Sequence, residues 1–98
     1  MGINVKIRLI KMSKPSEVAI SILVLLNNIN ELIVESSDRH NAKEVMKAIR
    51  TYGKNKNFPL PQDKMNNFDA VLLDAKPFTL TSIIKDIAAD VVYVGSKL

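Results

Sequence analysis

The chain has 98 residues, of which 47% are hydrophobic and 24% are charged, and its formal net charge is +4. This length allows one domain, and the apolar content is too high for a disordered protein. The chain contains no cysteine, which excludes a disulfide framework and a thiolate zinc site.

The positive charge is unevenly distributed along the chain. Residues 1–14 contain four basic residues and no acid, and residues 39–64 contain seven basic residues against two acidic ones. Residues 15–38 carry four acidic residues and no base, and residues 65–98 are close to neutral. Such polarity suggests binding to nucleic acid or another anionic surface, and it also occurs in proteins with neither partner.

The first two elements have clear sequence signals. Residues 3–9 alternate between aliphatic and polar side chains, which predicts a half-buried strand. A helix is expected to begin near Lys14, because Ser13 can cap it and Pro15 fits its first turn. From Val18 onward this helix is apolar on nearly every side. That pattern is typical of a helix buried on more than one face, and it favours self-association.

The middle of the chain predicts a strand and a second helix. The sequence "NNIN", residues 27–30, is expected to end the first helix, and "ELIVES", residues 31–36, predicts a buried strand. Residues 42–52 have apolar side chains at helical spacing, with Asn41 as the expected cap and Gly53 as the expected stop.

The last third of the chain predicts a loop followed by three short elements. Residues 54–68 are polar and punctuated by prolines, which favours a loop. Residues 68–75 and 90–96 predict strands, and residues 79–89 fit either a helix or part of a β-hairpin. The order β-α-β-α-β-(α)-β predicts a single α/β domain over residues 1–98, built as a two-layer sandwich.

The motifs in the first half follow one another in a recognisable order. They are "SKP", a long aliphatic helix that ends in "LLNN", a strand "INELIVES", a basic turn and an amphipathic helix. In this order residues 10–50 resemble the Alba family of small basic chromatin proteins. The resemblance weakens beyond residue 68, where the family continues with a basic β-hairpin and this chain is slightly acidic.

Single residues also match the family. Lys14 stands in the lysine–proline step before the family's first helix, and Arg39 and Lys43 match the arginine and lysine that follow its second strand. Ser13 stands where the family often has a second lysine, and Asp38 stands where it usually has a glycine. The resemblance implies an Alba-like α/β dimer that binds DNA or RNA through these basic turns.

The expected layout places both basic turns together. In a β-α-β-α order both helices begin at the same sheet edge, so the turns at Lys14 and Arg39 should lie side by side. Two helix N-termini and their basic side chains form a phosphate site. The residues predicted to bind nucleic acid are Lys11, Lys14, Arg39, Lys43, Lys47 and Arg50. An ordinary solvated helix face carries the same kinds of side chain.

The sequence thus predicts a dimeric protein that binds double-stranded DNA or RNA with little sequence selectivity. We expect a cytoplasmic, chromosome-associated protein that is not an enzyme and needs no cofactor or metal. The single histidine, His40, has no partner for a metal site, and the longest apolar run, residues 18–26, is far shorter than the roughly 20 residues of a membrane helix. The alternative is a ferredoxin-like protein-interaction module without nucleic-acid binding.

Overall fold

The computed structural model describes residues 15–97, and this part of the chain is helical without any strand. The helices are α1 (Pro15–Leu32), a short 3-10 helix (Ser36–Asp38), α2 (Arg39–Asn55), α3 (Gln62–Val71) and α4 (Pro77–Lys97). The predicted α/β sandwich is therefore wrong over these residues, and so is the ferredoxin-like fold of the alternative. The strand predicted over residues 3–9 lies outside the described part of the chain.

The predicted strand at residues 31–36 is instead the end of α1 and the connection to α2. Ile22, Leu26, Ile29 and Ile33 are all buried, and their spacing continues the helical period through "NNIN". The backbone N–H of Ile33 still donates to the carbonyl of Ile29. Asparagine in a helix costs only about 0.5 kcal/mol, so a buried apolar stripe overrides it.

The predicted strand at residues 90–96 also folds as helix, and the one at residues 68–75 is the end of α3 followed by a turn. In α3, Met65 and Phe68 are buried together with Leu72, which follows the helix. In α4 the buried side chains are Leu80, Ile84, Ile87 and Val91, spaced by four, three and four residues. Residues 79–89, which fitted two structures, are helical. Short aliphatic runs suit a buried strand and a buried helix equally well, and here the packing selects the helix.

The helices pack as antiparallel neighbours around α1. This helix contacts α2 on one side and α4 on the other, and α3 packs on α4. The Thr81 hydroxyl near the start of α4 donates to Asn30 Oδ1 near the end of α1, at 2.8 Å. The largest fully buried side chains are Ile22, Leu26, Ile29, Ile33, Met46, Ile49, Met65, Phe68, Leu72, Leu80, Ile87 and Val91.

Arg39 fastens three segments of the chain at one end of this bundle. Its side chain is at the first residue of α2 and is buried, with 7% of its surface exposed. The guanidinium donates to the carbonyls of Ile33 at 3.3 Å and Leu72 at 2.9 Å, and also to that of Ala75. Ile33 follows α1 and Leu72 follows α3, so the cation lies at the negative ends of two helix dipoles.

The end of α2 lies two residues beyond the predicted stop at Gly53. Asn57 has a φ of 55°, the left-handed conformation that closes many helices. The N–H of Phe58 donates to the Gly53 carbonyl and the N–H of Asn57 to the Lys54 carbonyl, which is the Schellman pattern. Phe58 is then buried against the core. The start of α2 also differs, since the helix begins at Arg39 and not near Asn41.

Replacing Asn57 tests this helix end. We expect Asn57→Ala to lower the free energy of unfolding by about 1 kcal/mol, because alanine is strained at positive φ. Asn57→Gly should leave it unchanged within about 0.5 kcal/mol or raise it, because glycine adopts this conformation freely. Urea denaturation followed by circular dichroism measures both. An alanine variant as stable as the glycine variant would contradict the assigned cap.

Replacing Arg39 tests whether its hydrogen bonds stabilise the helical bundle. We expect Arg39→Met to lower the free energy of unfolding by about 3 kcal/mol, because the hydrogen bonds to three carbonyls are lost while the apolar part of the side chain is kept. The matched control is Lys43→Met on the exposed face of α2, which should change it by less than about 0.5 kcal/mol. Equal losses in the two variants, measured by urea denaturation, would contradict a structural role for Arg39.

Candidate nucleic-acid interface

The structure separates the six residues predicted to bind nucleic acid into three groups. Lys11 and Lys14 lie outside the described residues. Arg39 is buried, and Arg50 is engaged with α3. Lys43 and Lys47 remain exposed on α2.

The layout on which the predicted phosphate site rested is absent from residues 15–97, because the starts of α1 and α2 lie at opposite ends of α1. It required Lys14 and Arg39 at the same sheet edge, but α2 begins where α1 ends, and the two helices run antiparallel. The start of α1 at Pro15 is therefore separated from Arg39 by the length of α1, roughly 27 Å at 1.5 Å per residue. The Arg39 guanidinium is occupied by carbonyl groups in the interior. Arg39 lies three residues before the buried Ala42, and this helical spacing is the sequence signal that places Arg39 on the buried side of α2.

Arg50 joins α2 to α3. Its Nη1 lies 2.6 Å from Asp69 Oδ2, and its Nη2 donates to Asn66 Oδ1 at 3.0 Å. About a quarter of each side chain in the ion pair is exposed. The second carboxylate oxygen of Asp69 is buried and has no hydrogen-bond partner among the described residues. Releasing Arg50 to bind a phosphate would leave this carboxylate partly buried without its cation, so we assign Arg50 to the fold.

Three lysines form an exposed row on α2, which we call the lysine row: Lys43, Lys47 and Lys54. Residues four and seven apart lie on the same side of a helix. Neither a hydrogen bond nor an ion pair joins these ammonium groups to another described residue. The row lies on the Arg50 side of α2, and the helix contains a single acid, Glu44. The ammonium groups are therefore free to contact an anion.

A shallow depression of about 500 Å³ lies beside the lysine row. It is open to solvent and is lined by Glu44, Lys47, Thr51 and Tyr52, with Ala48 and Asn55. Tyr52 is half-buried, and Lys56 Nζ lies 6.0 Å from the centre of its ring, within reach of a weak cation–π contact. An open depression of this kind suits a macromolecular surface better than a small enclosed ligand.

The end of α2 lies beside the start of α1, an arrangement that the sequence reasoning missed. Tyr52 lines a groove together with Ile20 and Val24 of α1. Lys54 and Lys56 follow Tyr52 closely in the chain, so they lie at the end of the bundle where the basic residues 1–14 join α1. A short connection between two helices is the signal for this antiparallel pairing. The sequence did not predict this pairing, because a strand predicted at residues 31–36 left no short connection between the two helices.

Residues 15–97 show no group of histidine and acidic side chains arranged to hold a metal ion. Among the helices described, none combines the length and apolar character that crossing a membrane requires. Comparison of the chain with protein-family models, with curated proteins and with solved structures found no match.

Proposed function

We propose that this protein binds the phosphate backbone of double-stranded nucleic acid through the lysine row, assisted by the basic residues 1–14. The observation that supports the proposal is the row itself. Lys43, Lys47 and Lys54 are exposed, aligned and unpaired with other described residues, whereas the two arginines of α2 are held in the fold.

The dimensions of the row suit a nucleic-acid backbone. At 1.5 Å per residue, Lys43 and Lys54 are about 16 Å apart along the helix axis. This length corresponds to about five base pairs at a rise of 3.4 Å each. A lysine row can therefore follow one backbone strand, with each ammonium group replacing a condensed counterion.

The chemistry of the row predicts weak sequence selectivity. Lysine acts on phosphate as a point charge, whereas reading a base edge in the groove usually employs the planar fork of arginine. Arg39 and Arg50 are already bound to groups of the protein. Phe58 is also buried and cannot stack on a base. Contacts to phosphate fix position and strength of binding but carry no sequence information.

Charge reversal in the lysine row tests the proposal. We expect Lys43→Glu with Lys47→Glu to make the slope of log K against log salt less steep by about 1.8, because two phosphate contacts are lost. If the variant and the unmodified chain bind equally at 1 M salt, this difference in slope makes the variant bind about 60-fold more weakly at 0.1 M salt. Fluorescence anisotropy with labelled mixed-sequence DNA and RNA duplexes, over a range of salt concentrations, measures both quantities.

The control for this experiment changes the charge of the protein by the same amount elsewhere. Lys76 directly precedes α4 and Lys85 lies within it, and both side chains are exposed. Neither forms an ion pair with a described residue. We expect Lys76→Glu with Lys85→Glu to retain the slope of the unmodified chain. Binding that is undetectable at low salt for the unmodified chain, or equal losses in the two double variants, would contradict the proposal.

A further inference from the structure

A second row of side chains on α2 runs beside the lysine row. Glu44, Thr51 and Asn55 are exposed, and all three line the depression of about 500 Å³. They are seven and four residues apart, so they lie on one side of the helix. Lys47 of the lysine row lines the same depression, and the two rows therefore adjoin. We call Glu44, Thr51 and Asn55 the polar row.

The side chains of the polar row can form hydrogen bonds with hydroxyl groups. The Glu44 carboxylate can only accept, and neither a hydrogen bond nor an ion pair joins it to another described residue. The Thr51 hydroxyl donates to the carbonyl of Lys47 at 3.2 Å, which leaves its oxygen free to accept. The Asn55 amide can both donate and accept. A partner that lies along this row must therefore bring hydrogen-bond donors, above all for Glu44.

The neighbours of α2 make this surface broad and shallow. Ala42, Met46 and Ile49 are buried in the core, α1 adjoins the helix at Tyr52, and Arg50 joins it to α3. A helix whose inner half is buried protrudes by about 5 to 6 Å, half its diameter. This is less than the depth of the B-DNA major groove, about 8.5 Å, and the B-DNA minor groove is only about 6 Å wide. The minor groove of A-form RNA is wide and shallow, and it displays the 2′-hydroxyl groups.

We infer that the preferred partner of this surface is double-stranded RNA, whose 2′-hydroxyl groups form hydrogen bonds with the polar row. The inference rests on the proposed function, because it places a phosphate backbone along the lysine row. Phosphate oxygens near Glu44 repel its carboxylate, and a 2′-hydroxyl group that donates to Glu44 offsets this repulsion. DNA has no such hydroxyl group, so Glu44 disfavours a DNA backbone in the same place. The polar row thus selects the sugar and leaves the base sequence unread.

The ratio of the affinities for RNA and DNA duplexes tests the inference. We expect the unmodified chain to bind an RNA duplex about tenfold more tightly than a DNA duplex of the same length and mixed sequence, an effect of the size of one hydrogen bond to a charged group. An RNA duplex with 2′-O-methyl groups retains the A-form but cannot donate from the sugar, so it should bind about as weakly as DNA. Fluorescence anisotropy at a single low salt concentration, about 50 mM, measures all three affinities.

Glu44→Gln separates a contact to the sugar from a general effect of charge. If Glu44 acted only through the net charge of the protein, its loss would strengthen the binding of both duplexes by the same factor. We expect a larger gain for DNA than for RNA, so that the preference for RNA falls about threefold, because glutamine removes the repulsion that the 2′-hydroxyl group offsets only in RNA. Equal gains for the two duplexes would overturn the inference.

Thr51→Val with Asn55→Ala tests the rest of the polar row without changing the charge. We expect this pair to weaken the binding of the RNA duplex about fivefold and to leave that of the DNA duplex unchanged, because hydrogen bonds to the sugar are lost. The matched control is Thr79→Val with Asn67→Ala, which changes the same residue types at exposed positions of α4 and α3 and should change neither affinity. Equal effects of the two pairs would overturn the inference.

The outcomes for the unmodified chain distinguish this inference from the proposed function. Equal binding of the RNA and DNA duplexes, or a preference for RNA that survives 2′-O-methylation, overturns the inference and leaves the proposed function standing. Absence of binding to both duplexes overturns the proposed function, and this inference with it.

Discussion

The arrangement of the helices depends on the hydrogen bonds that the buried Arg39 guanidinium donates. The guanidinium donates hydrogen bonds to one carbonyl after α1, one after α3 and one just before α4, and Arg39 is itself the first residue of α2. A buried arginine without these acceptors would be costly, and these carbonyls without a donor would be costly too. Both requirements are met here, because the ends of all four helices meet at this point.

In α2, some cationic side chains stabilise the fold and others are exposed at the surface. Arg39 and Ala42 lie on the buried stripe of α2, and Arg50 is turned toward Asp69 of α3. Arginine suits both positions, because its planar fork bonds several oxygens at once. The exposed cations of α2 are all lysines, which bind anions without fixed geometry. The residue types thus agree with the two roles that the structure assigns.

Helix α2 and the first part of α1 were predictable from the sequence, whereas the end of α1, α3 and the last turns of α4 were predicted as strand or loop. Apolar side chains at helical spacing opposite a row of lysines have only one interpretation. The end of α1 and most of α4 are aliphatic on several sides, so a strand fitted them equally well. The resemblance to the Alba family reinforced this error, since its order of elements required a strand at residues 31–36. Arg39 was assigned to phosphate by that order, although its spacing from Ala42 and Met46 places it on the buried stripe.

The antiparallel pairing of α1 and α2 also determines where the lysine row lies relative to the exposed aliphatic side chains of α1. Lys43, Lys47 and Lys54 share the side of α2 that carries Arg50 and meets α3, whereas Tyr52 borders Ile20 and Val24 of α1. The lysine row therefore lies on the side of α2 that is turned away from Ile20 and Val24 of α1. A polyanion that follows the row need not contact these exposed aliphatic side chains.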